Sequence, residues 1–214
     1  MISIKKLDNK IIAWVKITVF LLALVPLSKL GVGAYFDSLG ANPIEKITRT
    51  TGYWTLTFLL ISLAITPLRR FTGWNWLMRL RRMLGLFVFF YASLHFLTYL
   101  VLDQFFDWGS IVNDIVKRPY ITVGFPAFIL LIPLAVTSNN RMIKLMGGKR
   151  WLLLHRLVYL SAVGGVLHYW WLVKKDLTNP LTFAVLLSLL LGIRLIYWLR
   201  GLNIPLIPRK QWLS

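Results

Sequence analysis

The sequence predicts an all-α integral membrane protein, a six-transmembrane-helix bundle with both termini on the cytoplasmic side. Three observations carry this. The chain of 214 residues is 57% hydrophobic with a mean hydropathy of +0.68, more apolar than a soluble domain of this length needs. Six apolar segments reach the roughly 20 residues that cross a bilayer, at about 11–28, 51–68, 84–102, 121–138, 151–173 and 180–199. Charge is sorted between alternate connections, with most of the 25 Lys and Arg on one side and nearly all acids on the other.

Each element follows in order. The first span is preceded by Lys5, Lys6 and Lys10, a flank that also suits a signal peptide. Its apolar run is long and no convincing A-x-A site follows, so it reads as an uncleaved anchor. Lys16 lies inside it and snorkels back toward the headgroups. SKLGVGAYFDSLGANPIEKITRT (28–50) then forms an outer loop. The second span ends at Arg69 and Arg70, and Arg79, Arg81 and Arg82 continue the cytoplasmic connection. The third span leads to DQFFDWGSIVNDIVKRPY (103–120). There Asp107-Trp108-Gly109 and Lys117-Arg118-Pro119 mark defined interfacial structure rather than a linker. The fourth span returns to Arg141, Lys144, Lys149 and Arg150. The fifth carries Arg156 near its inner end, and the sixth ends among Arg194, Arg200, Arg209 and Lys210.

The outer side holds Lys29, Lys46, Arg49, Lys117, Arg118, Lys174 and Lys175, with Asp37, Glu45, Asp103, Asp107, Asp114 and Asp176; Asp8 is the inner exception. The positive-inside rule makes this N-in, C-in. The net charge of +18 is then chiefly a topology signal, with membrane lipids as its ordinary partners. Trp74, Trp76, Trp108, Trp151, Trp170, Trp171 and Trp198 lie near span ends, where an aromatic belt places them. No repeat is evident, and the tail GLNIPLIPRKQWLS is too short to fold alone. One domain over 1–214 is expected.

Several chemistries are excluded. A greasy, basic chain is no nucleic-acid binder, whose basic patch needs a polar surface. The absence of cysteine removes disulfides, thiolate catalysis and iron–sulfur ligation. No carboxylate lies within a predicted span, which argues against carboxylate proton relays and carboxylate metal cages. No strand and no Gly-rich phosphate loop is present, so a Rossmann site for NAD(P)H or FAD is absent. Redox chemistry here needs a separate donor or acceptor.

The three histidines remain: His95, His155 and His168. An ionisable group inside a span is a functional-site hypothesis by default; a helix–helix hydrogen bond is the plainer reading. Three imidazoles in a cysteine-free, carboxylate-poor bundle favour metal ligation, and haem held between helices fits. His155 and His168 share the stretch WLLLHRLVYLSAVGGVLHYWW (151–171). They stand roughly 19 Å apart along a helix at about 1.5 Å per residue, and roughly 140° apart around it. One metal cannot take both. His95 lies closer in depth to His168, and this pair is expected to supply the axial ligands of an outer haem. His155 then marks a second, inner haem, with Met83 as a candidate thioether partner. Arg82, Arg150 and Arg156 at that depth can meet propionates or a quinone headgroup. The small residues Gly164-Gly165 admit a macrocycle, a neighbouring helix or a kink that resets the helical phase. The competing readings are a proton-coupled transporter or channel with a histidine relay, and a scaffold with hydrogen-bonded histidines.

LGANPIE (39–45), TPLRR (66–70), RRMLGL (81–86), NDIVKRPYITVG (113–124) and GGKRWLLLHRLVYL (147–160) resemble the MsrQ (YedZ) family over nearly the whole chain. The resemblance implies a ferric-reductase-like transmembrane domain binding haem b. It implies a subunit of a bacterial inner-membrane system that passes electrons, from the quinone pool, to a periplasmic molybdopterin reductase, MsrP, which repairs oxidised methionines in envelope proteins. FMN is also associated with the family, although no FMN motif is evident here. His95, His155 and His168 fall where the family's haem ligands belong. The wider superfamily often uses four histidines; counting inward from His95 by its usual interval reaches Arg81–Arg82.

Overall fold

The computed structural model describes residues 7–201, so Lys5, Lys6, Arg209 and Lys210 lie outside the described residues. Within them, all regular structure is helical. The helices are α1 (Asn9–Tyr35), α2 (Pro43–Thr72), α3 (Met78–Leu97), α4 (Trp108–Lys117), α5 (Pro119–Val136), α6 (Asn140–Met146), α7 (Gly148–Leu154), α8 (Leu157–Leu172) and α9 (Thr178–Leu199). A 3₁₀ turn at Asn75–Leu77 leads into α3, and a π-helical turn at Thr98–Asp103 extends it. Six segments are long and apolar enough to cross a membrane: Asn9–Tyr35, Pro43–Thr72, Asn75–Asp103, Pro119–Val136, Gly148–Leu172 and Thr178–Leu199.

The spans match those expected, but helix consumes much of the two long loops. α1 runs on to Tyr35, and α2 starts at Pro43. Pro43 occupies the first helical turn, where a missing N–H costs nothing. Asn42 caps α2 by accepting from the Glu45 amide at 3.1 Å and donating to the Glu45 carboxylate at 3.2 Å. At the far end Gly73, at φ +73°, closes the helix in the left-handed conformation that glycine adopts without strain.

The second long loop contains α4. Asp107 caps it, accepting from the amides of Gly109 and Ser110. Tyr99, Gln104 and Arg118 all converge on Asp114, at 3.3, 3.2 and 3.1 Å, which pins α4 to the π turn of α3. The hydroxyl and amide of Ser110 hold the Asp107 carboxyl below the usual aspartate range. The cap therefore stabilises α4 above the ordinary pKa of 3.8 and loses that contribution as pH falls through the lower folded-state value. We expect the protection of the α4 amides, measured against their intrinsic exchange rates, to fall below about pH 4, and Asp107→Ala to show the lower protection already at neutral pH.

The most extensive contacts among the described residues join α2 to α3 and α5 to α8. α9 packs on α2 and α8, and α1 lies at the edge against α2 and α3. The core between them holds Phe58, Leu63, Phe87, Val88, Tyr91 and Ala162. Tyr91 is fully buried, and its hydroxyl donates to the Ala23 carbonyl at 2.7 Å. That bond ties α1 to α3 in surroundings where an unpaired hydroxyl is costly. Phe128 of α5 stacks on both Phe89 and Phe96 of α3. Large apolar side chains such as Leu21, Leu22, Leu189 and Leu195 are exposed; in a bilayer they face lipid.

Candidate functional site

His95 lies in the last turn of α3 and reaches across to α2, its Nδ1 standing 2.9 Å from the Thr48 carbonyl oxygen. His168 on α8 reaches to the first turn of α5, its Nδ1 2.7 Å from the Tyr120 carbonyl oxygen. A carbonyl only accepts, so each Nδ1 carries the proton and donates it. This leaves the lone pair on each Nε2, for which the described residues supply no hydrogen bond. The two rings stand 5.9 Å apart, centroid to centroid, at 86° to each other. A metal bonded to two imidazole nitrogens on opposite sides at about 2.0 Å each would place the ring centroids roughly 6 Å apart. The donor type, the anchored Nδ1 atoms and the spacing thus fit one metal, such as a haem iron, between α3 and α8.

His155 is elsewhere. It caps the end of α7, at a break before α8, and among the described residues it makes no ring contact with another histidine. Its Nδ1 donates to the Trp151 carbonyl at 3.0 Å, and its Nε2 lies 3.5 Å from the Ser138 hydroxyl. The ring stacks on the Trp151 indole at 3.7 Å. Trp151 is buried, and its Nε1–H donates to the Thr137 carbonyl at 2.8 Å, so it braces this site instead of joining an aromatic belt.

A cavity of about 110 Å³ opens beside His155, and Arg81, Arg82, Arg156, Ser138 and Tyr159 help line it. Arg194 stands behind, donating to the Tyr159 hydroxyl at 2.7 Å and to the Leu63 carbonyl at 2.5 Å. Its buried Nε has no hydrogen-bond partner among the described residues. Arg81 lies within electrostatic reach of Arg194 and Arg69, and no described carboxylate pairs with Arg81, Arg82, Arg156 or Arg194. So much uncompensated positive charge suits an anionic or carbonyl-bearing group. Met83 does not line this cavity; it packs against the core, and Met78 lines the cavity instead.

The helix is interrupted at His155 and Arg156, between α7 and α8, and runs without a break through Gly164-Gly165. These glycines serve close packing: a Cβ on Gly164 would stand 3.0 Å from the Ala127 Cβ, and one on Gly165 would stand 3.0 Å from Leu56. The pattern of histidines in the sequence gives no sign of the carbonyls of Thr48 and Tyr120 or of the glycines beside them, Gly52 and Gly124. Main-chain acceptors have no side-chain signature, and a glycine's use depends on what approaches it.

Residues 51–166 match the ferric reductase like transmembrane component family, a stretch that includes His95 and His155 and ends just before His168. The chain is 58% identical over 186 residues to a protein-methionine-sulfoxide reductase heme-binding subunit MsrQ of Herminiimonas arsenicoxydans, covering 86% of this chain and 85% of that one. It is 53% identical over 197 residues to the MsrQ subunit of Ralstonia nicotianae, covering 91% of each. It is 58% identical over 181 residues to that of Rhodospirillum rubrum, covering 85% of this chain and 87% of the relative. With six membrane-length helices and this degree of identity along most of its length, the chain belongs to the MsrQ family of ferric-reductase-like transmembrane proteins.

Proposed function

We propose that the chain is the haem b electron-transfer subunit of a protein-methionine-sulfoxide reductase system. It passes electrons from quinol across the bacterial inner membrane to a periplasmic molybdopterin reductase of MsrP type, its partner in a heterodimer. The observation that carries this reading is the His95–His168 pair: two imidazoles from different helices with centroids 5.9 Å apart, each with its Nδ1 bonded to a main-chain carbonyl. A haem bound there supplies a one-electron ferric/ferrous couple. The chain's own residues hold the imidazoles in one tautomer and surround them with apolar helices.

The relatives named above are heme-binding subunits of such a reductase, which supports both the cofactor and the need for a partner. Reduction of one sulfoxide to a thioether and water consumes two electrons and two protons, so the subunit must pass two electrons per repair. The arginine-rich end is cytoplasmic by the positive-inside rule. Its cavity beside His155 accommodates a second haem's edge or a quinone headgroup. The opposite end carries the acids, α4, and Phe105 and Phe106, both exposed and at positive φ. These loops form the docking face for the periplasmic partner.

The test is an absorption spectrum of the purified chain from haem-replete cells. A Soret band that shifts on adding a quinol analogue is the expected result. Folded, colourless protein would overturn the haem reading and leave histidine proton relay as the alternative.

A further inference from the structure

The two histidine sites are built alike. His95 bonds to the carbonyl of Thr48, and four residues on stands Gly52; His168 bonds to the carbonyl of Tyr120, and four residues on stands Gly124. TRTTG (48–52) on α2 and YITVG (120–124) on α5 thus perform the same task in the two main helix pairs.

The physical reason lies in helix geometry. A helical carbonyl at position i already accepts from the amide at i+4. The Cα–Cβ bond of residue i+4 leans toward the helix N-terminus, so its side chain covers the preceding turn, including that carbonyl. A Cβ at position i+4 therefore crowds a ring that approaches the carbonyl from another helix, as His95 approaches the Thr48 carbonyl, which also accepts from the Thr51 hydroxyl at 3.0 Å. The distances agree. A Cβ on Gly124 would lie 2.3 Å from the His168 Nδ1 and 2.9 Å from its Cε1, a clash with the ring itself. A Cβ on Gly52 would lie 3.0 Å from the His95 Cε1 and 3.1 Å from its Nδ1, which demands a shift of a few tenths of an ångström. Gly192, by contrast, has nothing within 4 Å of such a Cβ.

We infer that Gly52 and Gly124 are positioning residues that open a backbone carbonyl to each ligand histidine, and so set its tautomer, its orientation and its basicity. The inference rests on the proposed haem ligation for its redox consequence, but the positioning of the rings is independent of it. An Nδ1–H bonded to a carbonyl makes Nε2 a stronger donor, and a stronger donor favours ferric over ferrous iron. Losing that bond raises the midpoint potential.

The experiment compares Gly124→Ala, Gly52→Ala and the control Gly192→Ala in the full chain. Its readouts are haem retained, midpoint potential, and the ¹⁵N resonances of the three histidines in the reduced, diamagnetic state. Gly124→Ala is expected to weaken haem retention by about 10- to 100-fold, the range for loss of an outer-shell partner, with a changed Nδ1–H signal for His168. Gly52→Ala is expected to keep its haem with a smaller, positive shift in potential and a changed His95 signal. Gly192→Ala should match the wild type. Wild-type potentials and histidine resonances in both test variants would overturn the inference. If Gly124→Ala does not accumulate folded, Gly52→Ala decides alone, and an unchanged His95 resonance and potential there overturn it. If the wild type itself binds no haem, the haem reading fails, while the histidine resonances still decide the positioning.

Discussion

His95→Ala and His168→Ala are each expected to abolish the same low-spin haem. The two rings stand 5.9 Å apart, nearly perpendicular, on different helices, α3 and α8, so neither imidazole can be replaced by a shift of its own backbone. No cysteine is present in the chain, and His155 lies at a different level of the bundle. Removing one ligand leaves the other imidazole in place, still bonded to its carbonyl, and the iron high-spin or lost. Since disturbing an outer-shell partner alone costs about 10- to 100-fold in metal affinity, loss of a ligand should exceed that range. Low-temperature electron paramagnetic resonance of the two variants and the wild type checks it. An unchanged low-spin signal in either variant would show that the pairing is wrong.

His155→Ala is expected to act separately. Its ring is held by the Trp151 carbonyl and stacked on the Trp151 indole beside the arginine-lined cavity. No contact links it to His95 or His168 among the described residues. The variant should therefore lose a second haem component, about half the haem per chain if two are bound, while the His95–His168 signal persists. Pyridine haemochrome stoichiometry together with a potentiometric titration reads both quantities. Loss of the His95–His168 signal in this variant would mean that His155 shares in that site. Undiminished haem with only slower reduction by quinol would remove the inner haem and leave the cavity to the quinone.

Much of this protein was legible in its residues. Membrane spans are visible because a bilayer rewards roughly 20 apolar residues in a row wherever the helix packs. The depth of His95 and His168 is visible because helical rise converts sequence position into height. Helix caps such as Asn42 and Asp107 were legible in principle, since their side chains bond within the same local segment. Less was legible around His155. Met83 and Met78 are both near the right level by sequence, and only the rotation of α3 decides that Met78 lines the cavity. Gly164-Gly165 looked able to reset the phase of the fifth span, but a glycine pair packed against Ala127 and Leu56 keeps α8 straight enough to be continuous. The helix is interrupted instead between α7 and α8, where Trp151 braces His155.

By itself, then, the sequence determined the membrane class, the number of spans, the sorting of charge and which three imidazoles stand in or beside the spans, since these follow from local composition and rise along a helix. Only the tertiary structure decided that α3 and α8 turn His95 and His168 toward each other, and that the carbonyls of Thr48 and Tyr120 orient them through openings at Gly52 and Gly124. Those facts depend on the rotation and approach of helices distant in the chain. Rotation and approach are set by packing between surfaces, and no single segment encodes them.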